Sequence, residues 1–132
     1  MEPHQVEAAK TCLKGSESGT LAFPQIVQTL SDSGIESYAV DFRRRIVTYF
    51  RDDGKSIELP LHQFQSSVAA NFDQSAIQAA VKQAQQNIAG YTFKGFCEKA
   101  AAAGCAQYVV SMLGRRVVYL GRTAETHVEL MP

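Results

Sequence analysis

Residues 34–50 read GIESYAVDFRRRIVTYF, and residues 104–120 read GCAQYVVSMLGRRVVYL. The second stretch repeats the first without a gap. Phe23 and Phe93 lie 93 − 23 = 70 positions apart, as do Gly34 and Gly104, Tyr38 and Tyr108, and Val40 and Val110. Arg45 and Arg115, Val47 and Val117, and Tyr49 and Tyr119 keep the same offset. Roughly two identities would arise by chance in a window of this size at ordinary composition, so the repeat is genuine. Apolar positions also match, Ile26 with Phe96 and Phe42 with Met112 among them. Two copies are too few for a solenoid and point to two halves related by a pseudo-twofold axis.

Each copy reads as helix-helix-strand-strand-strand. A first helix is expected from about Pro3 to Lys14 with Gly15 as its stop, and its counterpart from Asp73, an N-cap residue, to about Ala89 before Gly90. The second helix starts at Pro24, where a missing N–H costs nothing, and gives way to Gly34. Thr92 and Gly104 bracket its counterpart. Tyr38–Phe42 and Ile46–Phe50 alternate as half-buried strands do, and Asp53-Gly54 marks a hairpin. A one-residue insertion then aligns SIELP, from Ser56, with HVELMP, from His127, and sets Glu58 opposite Glu129. The expected fold is α+β, antiparallel sheet with helices on one face, the two three-stranded units forming either one continuous sheet or two packed ones. Residues 1–132 are expected to form one domain of two repeats, about 1–60 and 72–132, joined by a short connector. The connector 61–71 has Leu61, Phe64 and Val68 spaced for a short packed helix.

The pattern of Phe23, Gly34, Tyr38, Tyr49, Phe93, Gly104, Tyr108, Tyr119, Glu129 and Pro132 resembles a bacterial family of unknown function. Some members of that family are labelled phage envelope protein. The resemblance covers nearly the whole chain. It implies a bacterial or prophage origin and brings no catalytic residues with it.

Chemical motifs are sparse. GSESG at 15–19 has Glu17 where a nucleophile elbow has serine, and it follows no strand, so it reads as a solvated loop. There is no phosphate loop and no dinucleotide fingerprint. His4, His62 and His127 are widely spaced, and Cys97 and Cys105 are eight apart with no CxxC, so no metal and no cofactor are expected. Cys97 and Cys105 match Val27 and Ile35 and read as core residues, whereas Cys12 matches Lys82 and reads as exposed. Thirteen basic and thirteen acidic residues cancel, which argues against nucleic acid even with the RRR run at 43–45. No apolar run has the length of a membrane span, the N-terminus lacks a leader pattern, and the odd cysteine count fits a reducing cytoplasm.

The duplicated polar set is Tyr38, Tyr108, Arg45, Arg115, Glu58 and Glu129. It has two readings. The residues hold the sheet together, with arginine meeting glutamate across strands, or they line a pocket between the halves for a small ligand. Three functions follow: a non-enzymatic protein that binds a small molecule or a protein, an enzyme built on Glu58, Glu129 or His127 as acid or base, and a self-associating protein of phage origin, with a homodimer as its simplest form. A pocket that gathered both glutamates would favour the enzyme.

Overall fold

A computed structural model describes residues 1–131; Pro132 lies outside the described residues. The order is α1 (Pro3–Ser18), α2 (Phe23–Asp32), β1 (Ile35–Asp41), β2 (Ile46–Arg51), β3 (Ser56–Pro60), α3 (Gln74–Gln86), α4 (Phe93–Ala102), β4 (Cys105–Ser111), β5 (Arg116–Gly121) and β6 (Thr126–Leu130). The fold is α+β, and each half is helix-helix-strand-strand-strand as expected.

The strands form one antiparallel sheet in the order β3-β2-β1-β4-β5-β6. The halves join where β1 pairs β4. Ala39 faces Val109, Tyr38 faces Val110 and Val40 faces Tyr108. Each pairing maps onto another when 70 is added to one partner and subtracted from the other, so the pseudo-axis passes between Ala39 and Val109. The turns repeat as well. Leu61 N–H donates to Arg45 O and Met131 N–H to Arg115 O, both at 2.9 Å.

Alternation decides which residues enter the core. Val40, Val47, Tyr49, Val110, Val117 and Tyr119 point from the sheet into the same buried cluster as Leu13 of α1, Leu30 of α2, Ile77 of α3 and Phe96 of α4. The helices therefore cover one face. Val128 and Leu130, on the other face, are exposed.

Four local expectations are corrected. Gly15 does not end α1. The helix runs on to Ser18, and Gly19, at φ 76°, is the left-handed cap. Gly15 is buried with Leu21 packed where its side chain would be, and residues 15–18 of GSESG lie in the helix and not in a solvated loop. Helix α3 stops at Gln86, short of Ala89, because Asn87 adopts the left-handed cap at φ 46°. The connector forms no helix. Leu61 and Phe64 are buried, but the backbone is engaged elsewhere: Ala69 N–H donates to Ala101 O and His62 N–H to Glu17 Oε2. Cys12 is buried at 1 % exposure. The buried runs Ala9, Cys12, Leu13 and Ile77, Ala80, Val81 share one spacing, so Cys12 matches Ala80, not Lys82. The first helices are offset by 86 − 18 = 68, and the loop into α4 is two residues longer than the loop into α2.

Asp73 and Thr92 cap α3 and α4 as expected, accepting from Ala76 N–H at 3.1 Å and Gly95 N–H at 2.9 Å. Replacing Thr92 with alanine should cost about 1 kcal/mol, read as a lower urea midpoint with an unchanged slope. A midpoint equal to wild type would show that the cap contributes nothing.

Candidate functional site: an aromatic cavity between the helix pairs

The α1–α2 pair and the α3–α4 pair part above the sheet. The side chains along the seam are small, Ser16, Ala22 and Ala84 among them, and leave a cavity of about 650 Å³. Ligand pockets typically measure about 300–1,000 Å³. The equivalent space over Val47 and Tyr49 in the first half holds only about 20 Å³. The site is therefore a departure from the symmetry, displaced towards β5 and β6.

Aromatic residues dominate the lining. Tyr38, Tyr108 and Tyr119 rise from the sheet, Phe23 opens α2, and Tyr91, Phe93 and Phe96 surround the start of α4. The rings form a connected set. Tyr108 stacks at a tilt on Tyr119, centroids 5.4 Å apart, and meets Phe96 edge-on at 5.9 Å. Burial raises the hydroxyls of Tyr38 and Tyr108 well above the usual tyrosine range, with neighbouring tyrosines adding to the effect. Burial pushes Tyr91 up to about 12. These hydroxyls stay neutral and offer a donor and an acceptor in an apolar wall.

Glu129 is the one charged side chain among the described lining residues. His127 and Gln74 hold it. His127, 6 % exposed, approaches Glu129 Oε1 with Nε2 at 2.7 Å. Gln74 Nε2, in the first turn of α3, lies 2.9 Å from His127 Nδ1. The imidazole bridges the Gln74 amide and the carboxylate, its Nε2–H donating to Glu129 Oε1. The imidazole also packs on Tyr119 at 6.2 Å.

The β-ladder explains why the asymmetry of His127 and Glu129 escaped sequence comparison. Val47 pairs with Leu59 and Val117 with Glu129. Since 117 − 47 = 70 and 129 − 59 = 70, β3 and β6 match without the inserted residue. Glu58 therefore matches Val128, while Glu129 matches Leu59 and His127 matches Ile57. A one-residue slip in register reverses the face of every side chain. Glu58 lies on the open face, 3.5 Å from Arg44 and not from Arg45. The two glutamates point to opposite sides of the sheet. The polar pair on β6 is an asymmetry, and comparing the repeats at offset 70 through their last strands would have exposed it.

Of the six residues singled out in sequence, Tyr38, Tyr108 and Glu129 line the cavity; Arg45, Arg115 and Glu58 do not. Both arginines end hairpin turns at positive φ, 57° and 52°, and Arg45 Nη2 reaches Gln65 O at 3.4 Å. All three cysteines are free and buried. Burial raises the thiol of Cys97 and pushes Cys105 up to about 12, so both remain protonated core residues. Among the described residues no group of histidine, cysteine and carboxylates could hold a metal ion, and no helix is long and apolar enough to cross a membrane.

A helix-covered six-stranded sheet with an aromatic cavity under the helix seam defines the class. Within it, the chain belongs to a protein family of unknown function, DUF1398, whose model matches residues 10–128. A search of curated proteins found no match.

Proposed function

We propose that the protein is a non-enzymatic binding protein that holds a small, largely apolar molecule in the cavity between its halves. The observation that supports this is the cavity itself: about 650 Å³ under the helix seam, in a chain that otherwise buries its apolar side chains in one continuous cluster. Interiors normally close-pack. An open cleft walled by aromatic rings leaves apolar area in water that a ligand would cover. Tyr38 and Tyr108 contribute rings and hydroxyls to its floor. An acid–base pair of glutamates has less support, because Glu58 and Glu129 face apart. We place the protein in a bacterial cytoplasm, with three free thiols in favour of the reducing compartment and the resemblance to a bacterial family in favour of the source.

Nile red, a neutral apolar dye, tests the reading. It should bind with a blue-shifted emission and raise the melting temperature in proportion to its concentration. Ala84→Trp projects an indole into the seam and should weaken dye binding at least tenfold with melting unchanged or higher. Equal dye binding by wild type and this variant would overturn the proposal.

A second reading concerns the open face, where Val128 and Leu130 are exposed beside the sheet edge. A second copy of the chain would cover them. Light scattering at two concentrations decides it, and a monomer at both removes the homodimer.

A further inference from the structure

We propose that the ligand of this cavity is an organic cation, a protonated nitrogen on an apolar body, received by Glu129. The inference rests on the binding reading above and narrows it to one chemical class.

Charge within the cavity is the first argument. The lining contains one carboxylate and, among the described residues, no lysine, arginine or histidine. His127 approaches one carboxylate oxygen from behind the wall, and the carboxylate is the group the cavity presents. A carboxylate in an apolar wall favours a cationic partner, and the described lining supplies none. Glu129 is about a quarter exposed. Its Oε2 takes no hydrogen bond from the described residues and is free to accept one from a ligand.

The repeat supplies a second, independent argument. Leu59 and Ile57 occupy the positions equivalent to Glu129 and His127 in the first half, and β3 forms with them. Neither polar residue is needed to build the strand. Gln74, from another element, orients the imidazole, and the imidazole orients the carboxylate. Such relays are typical of groups that must meet a ligand in a fixed direction.

The rings supply the third. Tyrosine and phenylalanine faces carry negative quadrupole density and attract a cation lying over them. Tyr119 stands beside His127 in the trio and Tyr108 beside Tyr119, so a nitrogen at Glu129 would lie against this aromatic wall. The competing feature is a pair of helix starts at the cavity, α2 and α4, whose dipoles favour anions. One N–H at each start is already capped, and Phe23, Gln25, Phe93 and Lys94 keep theirs for water. Gln25 Oε1 accepts from Ala22 N–H at 2.8 Å, Thr92 Oγ1 accepts from Gly95 N–H, and Pro24 has no N–H. The carboxylate carries a full charge and the helix starts only partial ones.

Three naphthalenes of one shape test the class: 1-naphthylmethylamine as its ammonium, 1-naphthalenemethanol and 1-naphthoate. The chain has no tryptophan, so naphthalene emission is read without tryptophan overlap, with calorimetry as the second measure. The ammonium is expected to bind at least tenfold more tightly than the alcohol, and the naphthoate more weakly than both. Glu129→Gln keeps an oxygen for His127 Nε2–H and removes only the charge. It should abolish the ammonium's advantage and leave the alcohol's affinity within twofold. Should that variant fold poorly, His127→Ile/Glu129→Leu, which copies the first half, replaces it with the same expectation. An alcohol that binds as well as the ammonium, or a naphthoate that binds best, overturns the cation and leaves the binding protein standing. Binding by none of the three, with no Nile red binding either, overturns both.

Discussion

Gly104→Ala should be the most damaging single substitution in the repeat, lowering stability by about 3 kcal/mol or more. Two costs combine there. Gly104 sits at φ 88°, where an alanine loses about 1–2 kcal/mol to the clash of its Cβ with the following carbonyl. The connector also crosses directly over the glycine. A Cβ would collide with the carbonyl oxygen of Asn71 and lie 2.7 Å from its carbon and 2.9 Å from Phe72 Cα. These are backbone atoms and cannot rotate away, so the chain must shift, at about 1–3 kcal/mol. Gly34, its counterpart, has φ 91° and meets only the side-chain nitrogen of Gln5 at 3.0 Å. Gly34→Ala should therefore cost only about 1 kcal/mol. Total stabilities run about 5–15 kcal/mol, so the Gly104 variant should melt on the order of 10 °C lower. Equal losses in the two variants would show that the connector yields and that only φ matters.

The contrast between these glycines separates what sequence shows from what it hides. The left-handed residue after each second helix was legible at both sites, because Gly placed after an apolar helical run has a local cause. The crossing of Asn71 over Gly104 was not, since it depends on a connector whose hydrogen bonds are all tertiary. The helix expected from Leu61, Phe64 and Val68 failed for the same reason: apolar spacing records burial, and here a chain clipped by Ala101 O and Glu17 buries those side chains without turning into a helix. The alternating strands, the duplicated order and the covered face follow from local pattern and were read correctly, whereas the choice between one sheet and two depends on the β1–β4 pairing, which is long-range.

The site was half legible. Tyr38 and Tyr108 were visible because they repeat. Repetition also drew attention to Arg45 and Arg115, which occupy equivalent turns at positive φ, so their duplication already has a backbone explanation. Duplication marks what both halves need in order to fold. A site present in one half shows up as a failure to repeat. His127 and Glu129 carried that mark, but the inserted residue concealed it by matching Glu58 to Glu129. The final-strand register, Tyr49 against Ile57 and Tyr119 against His127, is a hairpin register fixed by turn length, the same in both halves, and the inserted residue hid that equality.

Rebuilding β6 in the image of β3 should therefore cost binding without costing the fold. The double substitution His127→Ile/Glu129→Leu installs the residues that the first half uses at the same register. Each single change should be harmful. Glu129→Leu leaves His127 Nε2–H, at a site 6 % exposed, without its acceptor, at about 1–3 kcal/mol. His127→Ile leaves Glu129 without the donor that orients it. Together they remove both polar partners. Gln74, on the exposed first turn of α3, turns its amide to water. Buried polar pairs replaced by apolar residues of similar size are often neutral or stabilising. The double variant should thus melt at or above wild type, and a double-mutant cycle should give a coupling of about 1–3 kcal/mol. Ammonium binding should fall at least tenfold in the same protein. Stability given up for a ligand is the usual relation between a site and its scaffold. If the double variant is instead as unstable as the sum of the singles, the trio is structural, and β6 requires its polar residues for the fold itself.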